Sequence, residues 1–156
     1  MADELTQLEL WAAPLLAKLA PAQRRQLART IALDLRRAQQ QRIAAQKAPE
    51  GTSYPPRKHR AESLRSKRGA IRRKGAMFAK LRMARWLKTN ATAEGAEVGF
   101  FGRVARLARV HQEGGMDMVS PNGPMAKYPA RPLLGFTSTD REMVRTRVLE
   151  SLHSTH

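Results

Sequence analysis

A run of helical period enclosed by glycines, at residues 99–115, constrains the fold more than any other stretch of the chain. Its apolar positions recur at i, i+3, i+4 and i+7, a spacing that places side chains on one face of a helix. These positions are Val104, Leu107, Ala108 and His111, and three arginines follow the opposite side: Arg103, Arg106 and Arg109. Gly114 and Gly115 suit a left-handed helix end and a change of direction. The sequence therefore predicts a short helix over residues 103–113 that packs on a sheet and exposes its arginines.

The N-terminal part of the chain predicts two helices within residues 4–47. Leucines at helical spacing indicate an amphipathic first helix, which Pro14 must kink or split in two. Pro21 is a favourable first-turn residue and opens a second helix, which is expected to carry Arg42 on its outer side.

Short segments on both sides of the central helix predict a small antiparallel sheet. Residues 82–89 and 95–100 are expected to form a hairpin around a turn, and residues 116–119 could add another strand. Residues 77–87 fit either a helical turn or a strand, because their apolar positions satisfy both periods in part.

The C-terminal part predicts an extended segment followed by a helix. Prolines keep residues 127–135 extended, and Thr137 or Ser138 caps a helix that runs to about Ser151. The whole pattern predicts an α+β fold of one domain over residues 1–156. In it, a small antiparallel sheet carries the central helix beside two N-terminal helices and a C-terminal helix, with the sheet and later helices within residues 77–152.

Residues 49–75 predict a long basic arm. The stretch is rich in proline and charge, with no apolar period. The chain has 29 Lys and Arg against 13 Asp and Glu, a formal net charge of +16, and residues 57–88 hold 13 of the basic residues with one acid. Such a field attracts polyanions or acidic protein surfaces. The candidate contact residues in the arm are Arg57, Lys58, Arg60, Arg72 and Arg73.

The sequence predicts no enzyme, no cofactor and no metal site. It has no cysteine, which excludes disulfides, thiolate catalysis and cysteine-ligated zinc. None of the four histidines has a second ligand at metal spacing, and the chain has no phosphate-binding loop. The acidic N-terminus is unlike a signal peptide, and no apolar run approaches the length of a membrane span, so we expect synthesis in the cytoplasm.

Three residues near the central helix are candidates for a structural or interface role. His111 is expected to be a structural histidine, with a role as a pH switch as the alternative. A hydrolase using His111 and Glu113 is the weakest functional hypothesis. Arg131 lies between two prolines, so its guanidinium should be held rigidly. It is expected to pair with the carboxylate of Glu113, within the subunit or across its edge. The alternative is a solvated arginine.

Composition leaves two interpretations of the basic block open. Aromatic residues among the arginines, Tyr54, Phe78 and Trp86, could stack on nucleic-acid bases. The other interpretation is a basic surface that faces acidic neighbours in an assembly. The block has no motif for reading base sequence.

Several motifs resemble the phage virion morphogenesis family, the tail completion proteins of contractile-tailed bacteriophages. The resemblance rests on GRVARLARVHQEG at residues 102–114, YPARPLLG at 128–135 and DRE at 140–142, with earlier matches such as MFAKLR at 77–82. These matches occur in the order of the family over nearly the whole chain. Glu50 stands where an aspartate is common, and residues 121–127 form a variable insertion.

The resemblance implies a structural protein of the virion. Members act late in tail assembly, cap the end of the tail tube and help to join the tail to the head. Related proteins form rings, commonly of six subunits, so the implied partners are further copies of the chain, the tail tube and the head–neck connector, with contact to passing DNA as a further possibility. The rival hypothesis from the residues alone is a nucleic-acid-binding accessory protein that uses residues 57–88.

Overall fold

The computed structural model describes residues 2–57 and 75–155, which form four helices and two β-hairpins. In chain order the elements are α1 (Ala2–Leu16), α2 (Pro21–Ala44), β1 (Leu87–Ala91), β2 (Ala96–Phe100), α3 (Arg103–Glu113), β3 (Gly115–Met118), β4 (Met125–Tyr128) and α4 (Ser138–His153). The predicted α+β fold is confirmed.

The first helix is not split at its proline. Pro14 lies in the last turn of α1, which ends two residues later at Leu16. A proline at this place removes only the hydrogen bond to the carbonyl of Leu10, an exposed residue whose carbonyl water can reach. The helix therefore tolerates Pro14 and buries Leu8 and Ala12 against its neighbours.

The second helix lies between two apolar clusters. One end packs with α1 and α4 in a three-helix cluster centred on Leu8, Leu27 and Val148. The other end contributes Ile43 to a cluster with Tyr54 and Leu133, onto which α3 and the first hairpin also pack. A helix of this length thus joins the helical part of the molecule to the part that holds the hairpins.

The strands form two separate hairpins rather than one small sheet. β1 pairs antiparallel with β2, with Leu87 opposite Phe100, and this hairpin packs on α2. β3 pairs antiparallel with β4, and β3 packs on α3. The predicted strand at residues 82–89 begins only at Leu87, since the backbone before it makes consecutive turns, including Met83 N to Lys80 O at 3.1 Å.

The glycine-bounded helix has the predicted bounds, Arg103–Glu113. Gly114 has φ +74°, and a Cβ there would lie 2.9 Å from the backbone nitrogen of Ala130, so the chain needs glycine to turn away at this point. Of the predicted inner face, Ala108 is buried, but Leu107 is 46% exposed. The period identified the buried side of the helix correctly at Ala108, but within residues 2–57 and 75–155 no element covers Leu107.

The last helix begins with a capping box. Thr137 accepts a hydrogen bond from the backbone nitrogen of Asp140 at 3.1 Å, and the Asp140 carboxylate accepts one from the backbone nitrogen of Thr137 at 2.9 Å. Thr137 is therefore the cap, one of the two predicted residues. Val144 and Val148 form the buried side of α4.

Candidate functional site

The extended segment 129–135 is held between α2 and α3 at most of its residues, and it is the best-defined polar site of the fold. The backbone nitrogen of Arg131 donates to the carbonyl of His111 at 2.6 Å. The hydroxyl of Tyr54 donates to the carbonyl of Pro132 at 3.0 Å, and burial raises the pKa of Tyr54 to about 12, so this donor stays protonated. Leu133, which follows these two contacts in the chain, is 1% exposed. The segment is thus fixed by side chains where prolines prevent ordinary strand pairing.

Gln112 makes a three-bond clamp on this segment. Its Oε1 accepts from the backbone nitrogens of Leu133 and Leu134, at 2.8 and 2.9 Å, and its Nε2 donates to the carbonyl of Leu134 at 2.9 Å. An amide can do all of this because one end only accepts and the other only donates. The sequence analysis did not identify Gln112. A glutamine in the last turn of a helix, on the apolar side of that helix, is nevertheless a signal that could have indicated a buried polar contact.

Arg131 is buried and reaches backward along the chain to the base of the arm. Its Nε donates to the carbonyl of Pro55 at 2.7 Å and its Nη2 to the carbonyl of Pro56 at 2.9 Å. The predicted pair with Glu113 within the chain is therefore wrong, and so is the solvated alternative, since Arg131 is only 5% exposed while Glu113 is exposed. The guanidinium of Arg131 does donate two hydrogen bonds from a buried position, as expected, but the acceptors are two backbone carbonyls in place of a carboxylate. Burial lowers the pKa of Arg131, and Arg57 lowers it further.

A second buried network ties the other end of the segment to both long helices. The Arg42 guanidinium donates to the Asp140 carboxylate at 2.8 Å and to the carbonyl of Gly135 at 2.9 Å. Gln39 donates to the same carbonyl at 2.7 Å. The prediction that Arg42 lies on the outside of α2 is wrong, because its charge is paired with an acid that follows 98 residues later in the chain.

His111 lies in an aromatic cluster. Its ring stands edge-on to Phe78 at 4.8 Å and to Tyr128 at 5.4 Å between ring centres. Burial lowers the pKa of His111 below its ordinary 6.5, the Arg131 guanidinium lowers it further, and Asp117 opposes the shift. Its Nδ1 is buried and has no hydrogen-bond partner among the described residues. The imidazole is therefore held as a neutral packing group.

The base of the arm is closed by hydrogen bonds on both sides of its undescribed part. Gln46 donates to the carbonyl of Met77 at 2.9 Å and accepts from its backbone nitrogen at 2.7 Å. The Arg57 guanidinium donates to the carbonyl of Gly75 at 2.8 Å. The other predicted contact residues of the arm, Lys58, Arg60, Arg72 and Arg73, lie outside the described residues. The two ends of the arm therefore leave the body side by side.

The three arginines of α3 are exposed, as predicted. Arg106 pairs with Asp117 of β3 at 2.6 Å, while its own side chain stays 75% exposed. An exposed pair of this kind contributes little to stability. Arg103 and Arg109 extend the basic surface on the same helix.

Two of the three aromatic residues proposed for base stacking, Tyr54 and Phe78, pack against other side chains of the protein. Tyr54 is 6% exposed and packs edge-on against Phe78 at 5.7 Å. Trp86 has the Arg85 guanidinium over its ring at 4.8 Å. The stacking part of the nucleic-acid hypothesis is therefore wrong for Tyr54 and Phe78. What remains of that hypothesis is charge and Trp86, which is half-buried beside the exposed Arg85.

Two kinds of site can be addressed for the described ranges 2–57 and 75–155. These residues contain no group of three or more His, Asp or Glu side chains placed to hold a metal ion. Their helices are all too short or too polar to cross a membrane.

Comparison with known proteins gives one curated relative and one family. The chain is 43% identical over 139 residues to a protein called tail completion protein S, from Escherichia phage P2; the match covers 88% of this chain and 90% of the relative. No solved structure matches the chain significantly. The model of the phage virion morphogenesis family matches residues 3–153, almost the entire length. This chain therefore belongs to the phage virion morphogenesis family.

Proposed function

We propose that this chain is a structural tail completion protein, which caps the end of the tail tube and helps to join the tail to the head as the subunit of a ring. The observation that carries the proposal is the match at 43% identity over 139 residues, because it covers 90% of the phage P2 relative and so compares nearly all of that protein with this chain. The protein would then be found in the virion, at the tail or neck, after synthesis in the host cytoplasm.

The surface chemistry supports an assembly role. Large apolar side chains such as Leu10, Phe101 and Met116 are at least half exposed and are therefore available for contact with other proteins. The net charge of +16 keeps free subunits apart in solution and favours acidic partner surfaces or DNA passing through a channel. By resemblance to related proteins, we propose that the ring has six subunits and that its partners are the tail tube and the head–neck connector.

An extract assay tests this function directly. The gene for this chain is deleted from its own phage, and purified protein is added to a lysate that contains separate heads and tails. We expect infectious particles to appear in proportion to the added protein. Normal yields without the protein would contradict the proposal.

DNA-binding experiments with the same purified protein test the nucleic-acid alternative. Binding to duplex DNA with an affinity that falls steeply as salt rises is expected from charge alone. If a monomeric protein bound DNA tightly at physiological salt and failed to complete tails, the accessory-protein hypothesis would replace the proposed one.

A further inference from the structure

The second hairpin exposes one apolar face. In β3, Met116 and Met118 point to the same side, and the strand pairing places Met118 opposite Met125 and Met116 opposite Lys127. The three methionines are 58%, 48% and 57% exposed. We call these four residues, Met116, Met118, Met125 and Lys127, the methionine face.

The opposite face of the hairpin is already occupied. Asp117 is paired with Arg106 of α3, and Tyr128 packs against the ring of His111. A two-stranded hairpin has little stability of its own, so this inner face holds it to the body. The methionine face is therefore not the face that holds the hairpin to the rest of the described chain. Methionine is flexible and polarizable, which suits a surface that must adapt to another protein.

Charge selects what can cover the methionine face. The methionine face carries one cation and no acid, while α3, which packs on β3, exposes Arg103 and Arg109 and one acid, Glu113. A matching surface is therefore apolar with carboxylates beside it. Such a surface is uncommon on a chain of net charge +16.

The first helix provides this surface. Of the four helices that the structure describes, α1 alone carries acids and no base. Its Leu10 is 71% exposed, the highest value among the large apolar residues that are exposed in the described chain. Asp3 is exposed on the same side of α1 as Leu10, and Glu9 is exposed about 100° around the helix from it, while Glu4 is engaged with Arg141 of α4.

We propose that the methionine face of one copy binds the outer face of α1, around Leu10, of the next copy. This inference rests on the proposed ring and names its subunit contact. The two surfaces are different, so the contact runs head to tail and can close into a ring. A symmetric contact of two methionine faces is disfavoured, because it would bring the Lys127 side chains of both copies together with no acid on either face.

Cysteine cross-linking tests the contact on the full chain, which contains no cysteine of its own. The double variant Leu10→Cys with Met118→Cys should form a ladder of covalent oligomers under mild oxidation, ending at the ring size. The matched control pairs Leu10→Cys with Met83→Cys, an exposed methionine outside the methionine face that is 54% exposed. This control should give no ladder beyond dimers.

Mixing single variants gives the direction of the contact. Leu10→Cys protein mixed with Met118→Cys protein should yield the mixed dimer. Met118→Cys alone should stay monomeric on a denaturing gel. A strong dimer of Met118→Cys alone would overturn the proposal, since it would mean a symmetric contact.

A charge exchange provides an independent test. Glu9→Lys and Lys127→Glu should each weaken self-association by roughly tenfold if the two charges face each other, and the double variant should recover most of it. Sedimentation at several protein concentrations measures the change. Equal weakening in the double variant and the single variants would contradict the pairing.

The outcomes separate this contact from the proposed function. If wild-type protein forms rings but the ladder is absent, the contact is wrong and the ring stands. If Met118→Glu leaves rings intact but abolishes tail completion, another virion protein covers the methionine face, and the proposed second copy is wrong. If wild-type protein remains monomeric at all concentrations and on tails, the proposed ring is wrong.

Discussion

The Gln112 clamp gives a sharp test of how the extended segment is held. Gln112→Leu keeps the size of the side chain but removes all three hydrogen bonds to Leu133 and Leu134. Each net bond is worth about 1 kcal/mol, and a buried backbone group left without a partner costs about 1–3 kcal/mol. Leu133 is almost fully buried, so water cannot replace its lost partner. We expect the free energy of unfolding to fall by about 3 kcal/mol.

Urea unfolding at neutral pH, with thermal unfolding beside it, measures this loss. For a chain of this size, a loss of about 3 kcal/mol lowers the Tm by about 9 °C. The matched control is Gln41→Leu, an exposed glutamine on α2, which should change stability by no more than about 0.5 kcal/mol.

Gln112→Glu dissects the clamp. The carboxylate keeps the two acceptor contacts but cannot donate to the carbonyl of Leu134, so its cost should be intermediate. The reasoning is refuted if Gln112→Leu is as stable as the wild type. It is also refuted if the glutamate and leucine variants are equally destabilised, because the acceptor contacts would then contribute nothing.

Three further predictions follow from the same region. Arg131→Ala should lower the free energy of unfolding by about 3 kcal/mol, and Arg131→Lys by more than half of that, because one ammonium cannot donate to both the Pro55 and the Pro56 carbonyl as the guanidinium does. Denaturant unfolding measures both variants. A lysine variant as stable as the wild type would contradict the importance of the two-bond contact. Because the pKa of His111 is lowered from 6.5, its stabilising contribution is complete above about pH 6.5 and is lost as the pH falls below that value. His111→Leu should therefore flatten the decline in unfolding free energy between about pH 7.5 and pH 5, and an unchanged decline would refute this. Gly135→Ala should destabilise the chain by about 1–3 kcal/mol, since its Cβ would lie 2.1 Å from the rigid ring of Pro49; calorimetry that finds wild-type stability would count against this packing.

Local signals in the sequence predicted the elements of the fold better than the contacts between them. Glycines at both ends gave α3 its bounds, and the choice of Thr137 or Ser138 as cap marked the start of α4 to within one residue, because capping and turn chemistry act over a few residues. The same reasoning expected Pro14 to kink or split the first helix, and the split does not occur, since the cost of a proline depends on how near it lies to the helix end.

Long-range polar contacts could not be predicted in the same way. Arg42 had the position of a solvent-exposed arginine, and only Asp140 on a distant helix makes its burial possible. The partner of Arg131 was predicted as a carboxylate, whereas backbone carbonyls, which every residue carries, accept from it. Sequence identifies which side chains can donate, but the fold decides which acceptors come within reach.

The location of the chain in the virion tests the central claim most directly. A copy with a short tag appended after His156 can be supplied to the phage that lacks the gene and labelled with gold for electron microscopy of purified tails. The account predicts one cluster of label at a single end of each tail, the end that joins the head. Label scattered along the tail, or no label on tails that still join heads normally, would contradict it.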